Sequence, residues 1–220
     1  MKLAILRPEP GNAATRARAA AAGFETLRLP LFEIAARAWT HPDPAGHDAL
    51  LLTSANAVRS AGPLGALAAL PVVTVGDSTA AAARAAGLTV VATGDSDAAA
   101  LSALLIAHGF SRVLHLAGED RTPAPPGVTR TETVYASEPL AVPPERLALL
   151  TGTTALLHSA RAARTLAALL DAAAIPRAGI TVAAFSPAIA QAAGSGWSTV
   201  ATAAAPTDAA LLDAVRALGR

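Results

Sequence analysis

The 220-residue chain has no cysteine, one lysine (Lys2), one tyrosine (Tyr135) and one methionine, with aromatic residues at 3% and charged residues at 15%. Without cysteine there is no disulfide framework and no thiolate metal site. The five histidines (His41, His47, His108, His115, His158) stand at no metal-ligand spacing, so no structural zinc is expected. A net charge of +1, with no Lys/Arg cluster, excludes a strongly basic nucleic-acid binder, because neutralising phosphates takes clustered cations. Nor does any apolar run reach the roughly 18 residues of a membrane span, and the Met1–Leu6 run stops too soon for a secretory leader. A cytosolic protein is expected. Gly-x-Gly-x-x-Gly after a strand, the P-loop, the nucleophile elbow and the zincin signature are all missing. Arg7-Pro8-Glu9 stands where a phosphorelay receiver would need an acid pair. These gaps point to cofactor-free chemistry or to binding alone.

What is present is alanine, 60 residues of it, within a hydrophobic share of 53%. Together with arginine as sixteen of the seventeen basic residues, it reads as a G+C-rich genome. That much apolar surface can offset the entropy of ordering the backbone, which excludes a disordered chain. Short runs of Val, Ile and Leu alternate with Ala-rich helical segments, the pattern of an α/β protein with parallel sheets. Ten strands are expected: 3–6, 26–29, 49–52, 72–75, 89–92, 113–116, 131–135, 155–158, 181–184 and 199–201. Ten are many for one sheet in a chain of this length, so two sheets of about five strands are expected.

An internal repeat supports the division. Leu50-Leu51-Leu52-Thr53-Ser54-Ala55-Asn56-Ala57 is matched by Ala155-Leu156-Leu157-His158-Ser159-Ala160-Arg161-Ala162. Val72 to Ala80 is matched by Val182 to Ala190, and Asp97-Ala98-Ala99-Ala100-Leu101 by Asp208-Ala209-Ala210-Leu211-Leu212. The alignment leaves the first two strands over, and they must complete the second copy's sheet. The expected result is a discontinuous domain of residues 1–34 and 138–220, an inserted domain of residues 38–134, and linkers near 31–38 and 135–144. The second linker carries Pro139, Pro143 and Pro144.

In parallel α/β sheets, ligands bind beyond the carboxyl ends of the strands, where helix starts present free N–H groups and a positive dipole end. Small polar residues recur at those points: Thr53-Ser54, Gly76-Asp77-Ser78-Thr79, Gly118-Glu119, Ser159 and Ser186-Pro187, with Arg7 ending the first strand. Such a set suits a ligand with several carboxylates. The plainer alternative is that these Ser and Thr residues cap helices. Asn56 could donate to a ligand carboxylate or simply occupy an exposed first turn. Glu119, Asp120 and Arg121 read as an acidic helix start with a nearby arginine. Tyr135 falls where the inserted domain should end, so its phenol could serve a cleft or be buried with a satisfied hydroxyl. His158 reads as a strand-end residue, and Trp39 and Trp197 as packing residues.

Taken in order, these motifs resemble the uroporphyrinogen-III synthase family over nearly the whole chain. Leu6-Arg7-Pro8 is similar to the family's opening Thr-Arg-Pro, and Thr53-Ser54-Ala55-Asn56-Ala57-Val58 to Thr-Ser-x-Asn-Ala-Val. Val75-Gly76-Asp77-Ser78-Thr79-Ala80 is similar to Val-Gly-x-x-Thr-Ala, Leu116-Ala117-Gly118-Glu119 to Leu-x-Gly-Glu, and Val134-Tyr135 to the linker Val-Tyr. Ser186-Pro187 and Ala205-Pro206-Thr207 before Leu211-Leu212 complete the set. The resemblance implies two Rossmann- or flavodoxin-like parallel-sheet domains joined by a two-stranded linker, one of them discontinuous. It further implies cofactor-free closure of hydroxymethylbilane to uroporphyrinogen III by a monomer, with loss of water and inversion of the last pyrrole ring through a spiro intermediate. Tyr135 is then the general-acid candidate. Arg7, Thr53, Ser54, Asn56, Gly76, Ser78, Thr79, Gly118, Ser159, Ser186, Pro187, Ala188 and Ile189 are the candidate substrate contacts. Leu6, Ala117 and Ala188-Ile189 depart from the family's threonines and arginine at those places. The unstable substrate suggests handover from the upstream enzyme. The rival expectation is a noncatalytic two-domain binder of an anionic small molecule.

Overall fold

The computed structural model describes residues 1–94 and 98–219. Asp97, which opens the third matched segment of the repeat, lies outside them. The chain divides into two compact units, Met1–Glu33 with Pro139–Arg220 and, between them in sequence, Ile34–Glu138. Each is an α/β domain built on a parallel sheet, and the first is discontinuous.

Unit 1 contains β1 (Lys2–Ile5), β2 (Glu25–Arg28), β9 (Thr154–Leu157), β10 (Thr181–Ala184) and β11 (Thr199–Thr202) in the spatial order β11-β10-β9-β1-β2, all parallel. The central strands are apolar on both faces because helices cover both. On one face α6 (Ala160–Ala172) packs Leu166 and Leu170 against Ala4, Ala155, Leu157 and Val182. On the other, α1 (Gly11–Ala21) and α8 (Asp208–Ala217) pack Ala19, Leu211 and Val215 against Leu3, Ile5, Leu156 and Ala183. Two short helices, α5 (Pro144–Ala148) and α7 (Pro187–Ala192), begin with proline in the first turn, where its missing N–H costs nothing.

Unit 2 is a six-stranded sheet ordered β3-β8-β7-β4-β5-β6. Its strands are β3 (Phe32–Ala36), β4 (Ala49–Leu52), β5 (Val72–Val75), β6 (Val90–Gly94), β7 (Val113–Gly118) and β8 (Val128–Pro139). The ladders from β8 through β6 are parallel. Helices α2 (Ala55–Ser60) and α3 (Asp77–Ala85) cover one face through Ala57, Val58 and Ala83. Helix α4 (Ala98–Ala107) covers the other through Leu101 and Leu105.

All ten expected strands are present, with ends shifted by a few residues. The structure adds β3, which lies in the segment read as a linker and pairs with β8 at the sheet edge. It also lengthens β8 to twelve residues. The expected helix start after Gly118 is absent: residues 119–127 form no helix. Pro123, Pro125 and Pro126 remove backbone donors and push their predecessors toward extended conformations.

The two sheets share one arrangement. Across unit 1 the strands run β2-β1-β9-β10-β11, and across unit 2 they run β8-β7-β4-β5-β6, so β4 and β5 occupy the places of β9 and β10, as the sequence repeat requires. Each sheet has a topological switch point, β1/β9 in unit 1 and β4/β7 in unit 2, where the connections turn in opposite directions and leave a crevice at the strands' carboxyl ends.

Candidate functional site

At the unit 1 switch point the chain leaves β1 through Arg7. Asn12, fully buried on α1, donates from Nδ2 to the carbonyls of Ile5 (2.8 Å) and Arg7 (3.0 Å) and fixes this exit. The Arg7 guanidinium occupies the space a side chain would fill on Gly11: a Cβ there would lie 2.5 Å from Nε. Its Nη1 donates to Thr15 Oγ1 (3.3 Å) and stands 3.8 Å from Asp208 Oδ1. Burial lowers the Arg7 pKa and Asp208 raises it, but a guanidinium keeps its charge in either case.

Asp208 sits in the first turn of α8 with its side chain 6% exposed. Burial works against its charge, yet hydrogen bonds from His158, Thr15 and Arg18 hold its carboxyl far below the usual range. His158 follows β9, places Nε2 3.1 Å from Asp208 Oδ1 and meets Phe185 edge-on at 4.4 Å. Burial lowers its pKa more than Asp208 raises it, so at neutral pH the imidazole is neutral and donates from Nε2. Ser159 caps α6, accepting from Ala162 N–H (3.1 Å), and Ser186 caps α7, accepting from Ile189 N–H (3.4 Å). Pro187 and Ala188 are exposed, while Ile189 packs partly into the core.

At the unit 2 switch point, Thr53 Oγ1 lies 3.0 Å from Nε2 of His115, which is 3% exposed and has no partner on Nδ1 among the described residues. Burial, reinforced by the Arg121 charge, pulls His115 down to about 4. Ser54 caps α2 by accepting from Asn56 N–H (3.2 Å), and Asn56 Oδ1 accepts from Arg59 (3.4 Å). Gly76 opens α3 at φ +75° and ψ 149°, a conformation that is essentially glycine's alone. The turn directs its carbonyl to the N–H groups of Thr79 and Ala80. Ser78 is exposed there and Thr79 is buried.

Tyr135 lies on β8 beside Gly118, half-buried against the Leu114–Leu116 side of the core. A Cβ on Gly118 would fall 2.7 Å from Tyr135 Cζ and 2.8 Å from its hydroxyl oxygen. Arg121 closes the turn after β7 by donating to Gly118 O (2.7 Å) and Thr133 Oγ1 (2.9 Å). Of the candidate residues, Arg7, Ser159 and Ser186 through Ile189 therefore belong to unit 1. Thr53, Ser54, Asn56, Gly76, Ser78, Thr79, Gly118 and Tyr135 belong to unit 2. Sequence reasoning missed Asp208, Thr15, Arg18 and His115. Only Asp208 left a trace, as the opening residue of the repeat's third match. Trp39 and Trp197 pack and donate to the Ala61 and Ala193 carbonyls, as expected of packing residues.

Among the described residues no group of His, Asp and Glu could hold a metal ion, and no helix is long and apolar enough to cross a membrane. A family model described as uroporphyrinogen-III synthase HemD matches residues 13–213. The chain belongs to the uroporphyrinogen-III synthase family. Two solved members show the same architecture. The uroporphyrinogen-III synthetase of Helicobacter pylori aligns over 99% of both chains with a TM-score of 0.64 at 16% identity. A mutant of uroporphyrinogen III synthase from the extremely thermophilic bacterium Thermus thermophilus aligns over 100% of this chain and 99% of that one, with a TM-score of 0.53 at 20% identity. At such identities the likeness is one of fold. No curated protein sequence matches significantly. At the strand exits of this uroporphyrinogen-III synthase relative stand the hydroxyls of Thr53, Ser54, Ser159 and Ser186 and the guanidinium groups of Arg7 and Arg121.

Proposed function

We propose that the protein is a uroporphyrinogen-III synthase, a cyclising hydro-lyase that converts hydroxymethylbilane to uroporphyrinogen III without a cofactor. The observation that carries the reading is the family match across both units, with donors gathered at each switch point. The substrate has eight carboxylates and needs many weak anion contacts spread along its length. In this reading Arg7, Ser159 and Ser186 to Ile189 hold one part of it. Thr53, Ser54, Asn56, Gly76, Ser78, Thr79 and Gly118 hold another. Departure of the hydroxymethyl hydroxyl as water, with its proton from the Tyr135 phenol, leaves an azafulvene cation stabilised by the pyrrole nitrogen. The substituted α-carbon of the last pyrrole ring attacks the methylene carbon of that electrophile, and the new C–C bond gives a spiro intermediate. The bond from that carbon to its original bridging methylene then breaks to give a second azafulvene, the ring's free α-carbon closes on that methylene, and loss of its proton to the Tyr135 phenolate completes the inverted ring. The protein supplies chiefly position, which can amount to several kcal/mol of the barrier. We further propose a cytoplasmic monomer that receives its short-lived substrate from the enzyme that makes it.

The test is incubation with freshly generated hydroxymethylbilane, oxidation, and separation of the uroporphyrin isomers. Predominant type III isomer supports the proposal. Type I isomer at the spontaneous rate overturns it and favours a noncatalytic binder.

A further inference from the structure

Unit 1 contains a buried carboxylate that the proposed reaction does not use. Asp208 receives a hydrogen bond from Thr15 Oγ1 at 2.8 Å, one from Arg18 Nη1 at 2.7 Å and one from His158 Nε2 at 3.1 Å, with Arg7 Nη1 3.8 Å away. A buried carboxylate is costly unless such donors replace its water, and here they come from α1 and from the exits of β1 and β9. The positive end of α8 adds to the anchorage.

The geometry is directional. Thr15 has one hydroxyl proton, and it goes to Asp208, so the oxygen's lone pairs are left for Arg7 Nη1. The Nη1 side of Arg7 is thereby fixed, its backbone is held by Asn12, and its guanidinium rests where Gly11 has no side chain. Nε and Nη2 make no hydrogen bond among the described residues, and 34% of the side chain is exposed. Those two donors form the planar fork that matches a carboxylate in two parallel hydrogen bonds. With Arg7 and Arg18 positive, Asp208 negative and His158 neutral, one positive charge is left over for an incoming anion.

We propose that Asp208 is a positioning residue: through Thr15 and its own Oδ1 it fixes the Nη1 side of Arg7, so that the Nε–Nη2 side is presented to one carboxylate of the substrate. This rests on the reading of Arg7 as a substrate contact. Geometry and charge predict opposite outcomes. If Asp208 acted only through its charge, removing it would strengthen the positive potential at Arg7 and tighten anion binding. If it positions Arg7, removing it weakens binding.

The experiment measures KM and kcat for hydroxymethylbilane in Asp208→Asn, Gly11→Ala and Arg7→Ala, and in the double variants with Arg7→Ala. Asp208→Asn is expected to raise KM about tenfold with kcat changed much less, the signature of lost uniform binding. Gly11→Ala guards against a merely structural effect. Alanine favours a helix more than glycine does, so this variant should melt no lower than wild type while its Cβ displaces the guanidinium and raises KM similarly. Neither change should add to the effect of Arg7→Ala. An unchanged or lower KM in Asp208→Asn, or an undiminished effect in the Arg7→Ala background, overturns the proposal. If wild type makes no type III isomer, the enzymatic reading fails separately. Positioning is then judged by the Arg7 Nε–H resonance in 15N NMR, which must shift in both Asp208→Asn and Gly11→Ala; an unmoved resonance overturns it.

Discussion

Gly118→Ala tests whether the position of the Tyr135 phenol matters. The backbone at Gly118 is not in the left-handed region, so alanine fits its conformation and only the added Cβ is at issue. That atom would stand 2.7 Å from Cζ, 2.8 Å from the hydroxyl oxygen and 3.0 Å from Cε2, where ordinary contact begins near 3.4 Å. The hydroxyl end of the ring must therefore retreat by about 1 Å. The β7–β8 pairing shifts register between Ala117 and Gly118, but the Glu119 N–H bond to Tyr135 O at 2.9 Å ties the backbone beside the ring. Overpacking of this kind costs about 1–3 kcal/mol of stability, toward the low end for a half-buried ring. A displacement of about 1 Å at a reacting group can cost up to about a hundredfold in rate. The assay is single-turnover formation of type III isomer, paired with thermal denaturation. In a Tyr135→Phe background, where the proposed proton donor is already gone, Gly118→Ala should lower kcat little further. A wild-type rate in Gly118→Ala would refute the reasoning, and so would an equal loss in both backgrounds.

Further outcomes are expected. Tyr135→Phe should lower kcat by about 10² or more while changing KM little, as loss of a general acid does; an unchanged rate in steady-state assays removes that role. His115 is neutral when folded and titrates near 4 rather than at its ordinary 6.5. The unfolded chain thus binds the extra proton between those values, and stability falls as pH drops through that window, by about 3 kcal/mol at pH 4. Urea denaturation at pH 7 and pH 4.5 in wild type and His115→Gln checks this, the variant losing part of the slope. Ser159→Ala should cost about 1 kcal/mol by removing the α6 cap, and a KM increase beyond that loss would show that Ser159 also meets substrate.

The residues that made the fold legible act locally. The runs Leu50–Leu52, Val72–Val75 and Leu156–Leu157 are strands because no other element of that length buries both faces. Ser54, Ser159 and Ser186 bond to amides two or three residues ahead, so the sequence pattern alone places them at helix starts. Strand β3 escaped because Phe32-Glu33-Ile34-Ala35-Ala36 is weakly apolar and lies at a sheet edge, where only one neighbour asks for it. The Asp208 cluster escaped for a different reason. Thr15 and Arg18 meet that carboxylate from 193 and 190 residues away and His158 from 50, with Arg7 beside them, and no spacing encodes such a meeting. His115 could be placed in a strand, but its bond to Thr53 depends on the β4–β7 pairing.

The chain passes between the two units at Glu33–Ile34 and Glu138–Pro139, on the neighbouring strands β3 and β8. This arrangement sets the order of events during synthesis. Strand β1 is made first, but its partner β9 comes off the ribosome only after all of unit 2, so Leu3 waits for Thr154. The strands of unit 2 arrive as one continuous stretch, and its sheet can be complete while unit 1 still holds only β1, α1 and β2. The whole of the inserted unit is thus available to fold before its host is fully made, which inverts the usual N-terminal-first sequence. The pairing of β1 with β9, which sets the exits carrying Arg7 and His158 side by side, cannot form until residues 154–157 are made.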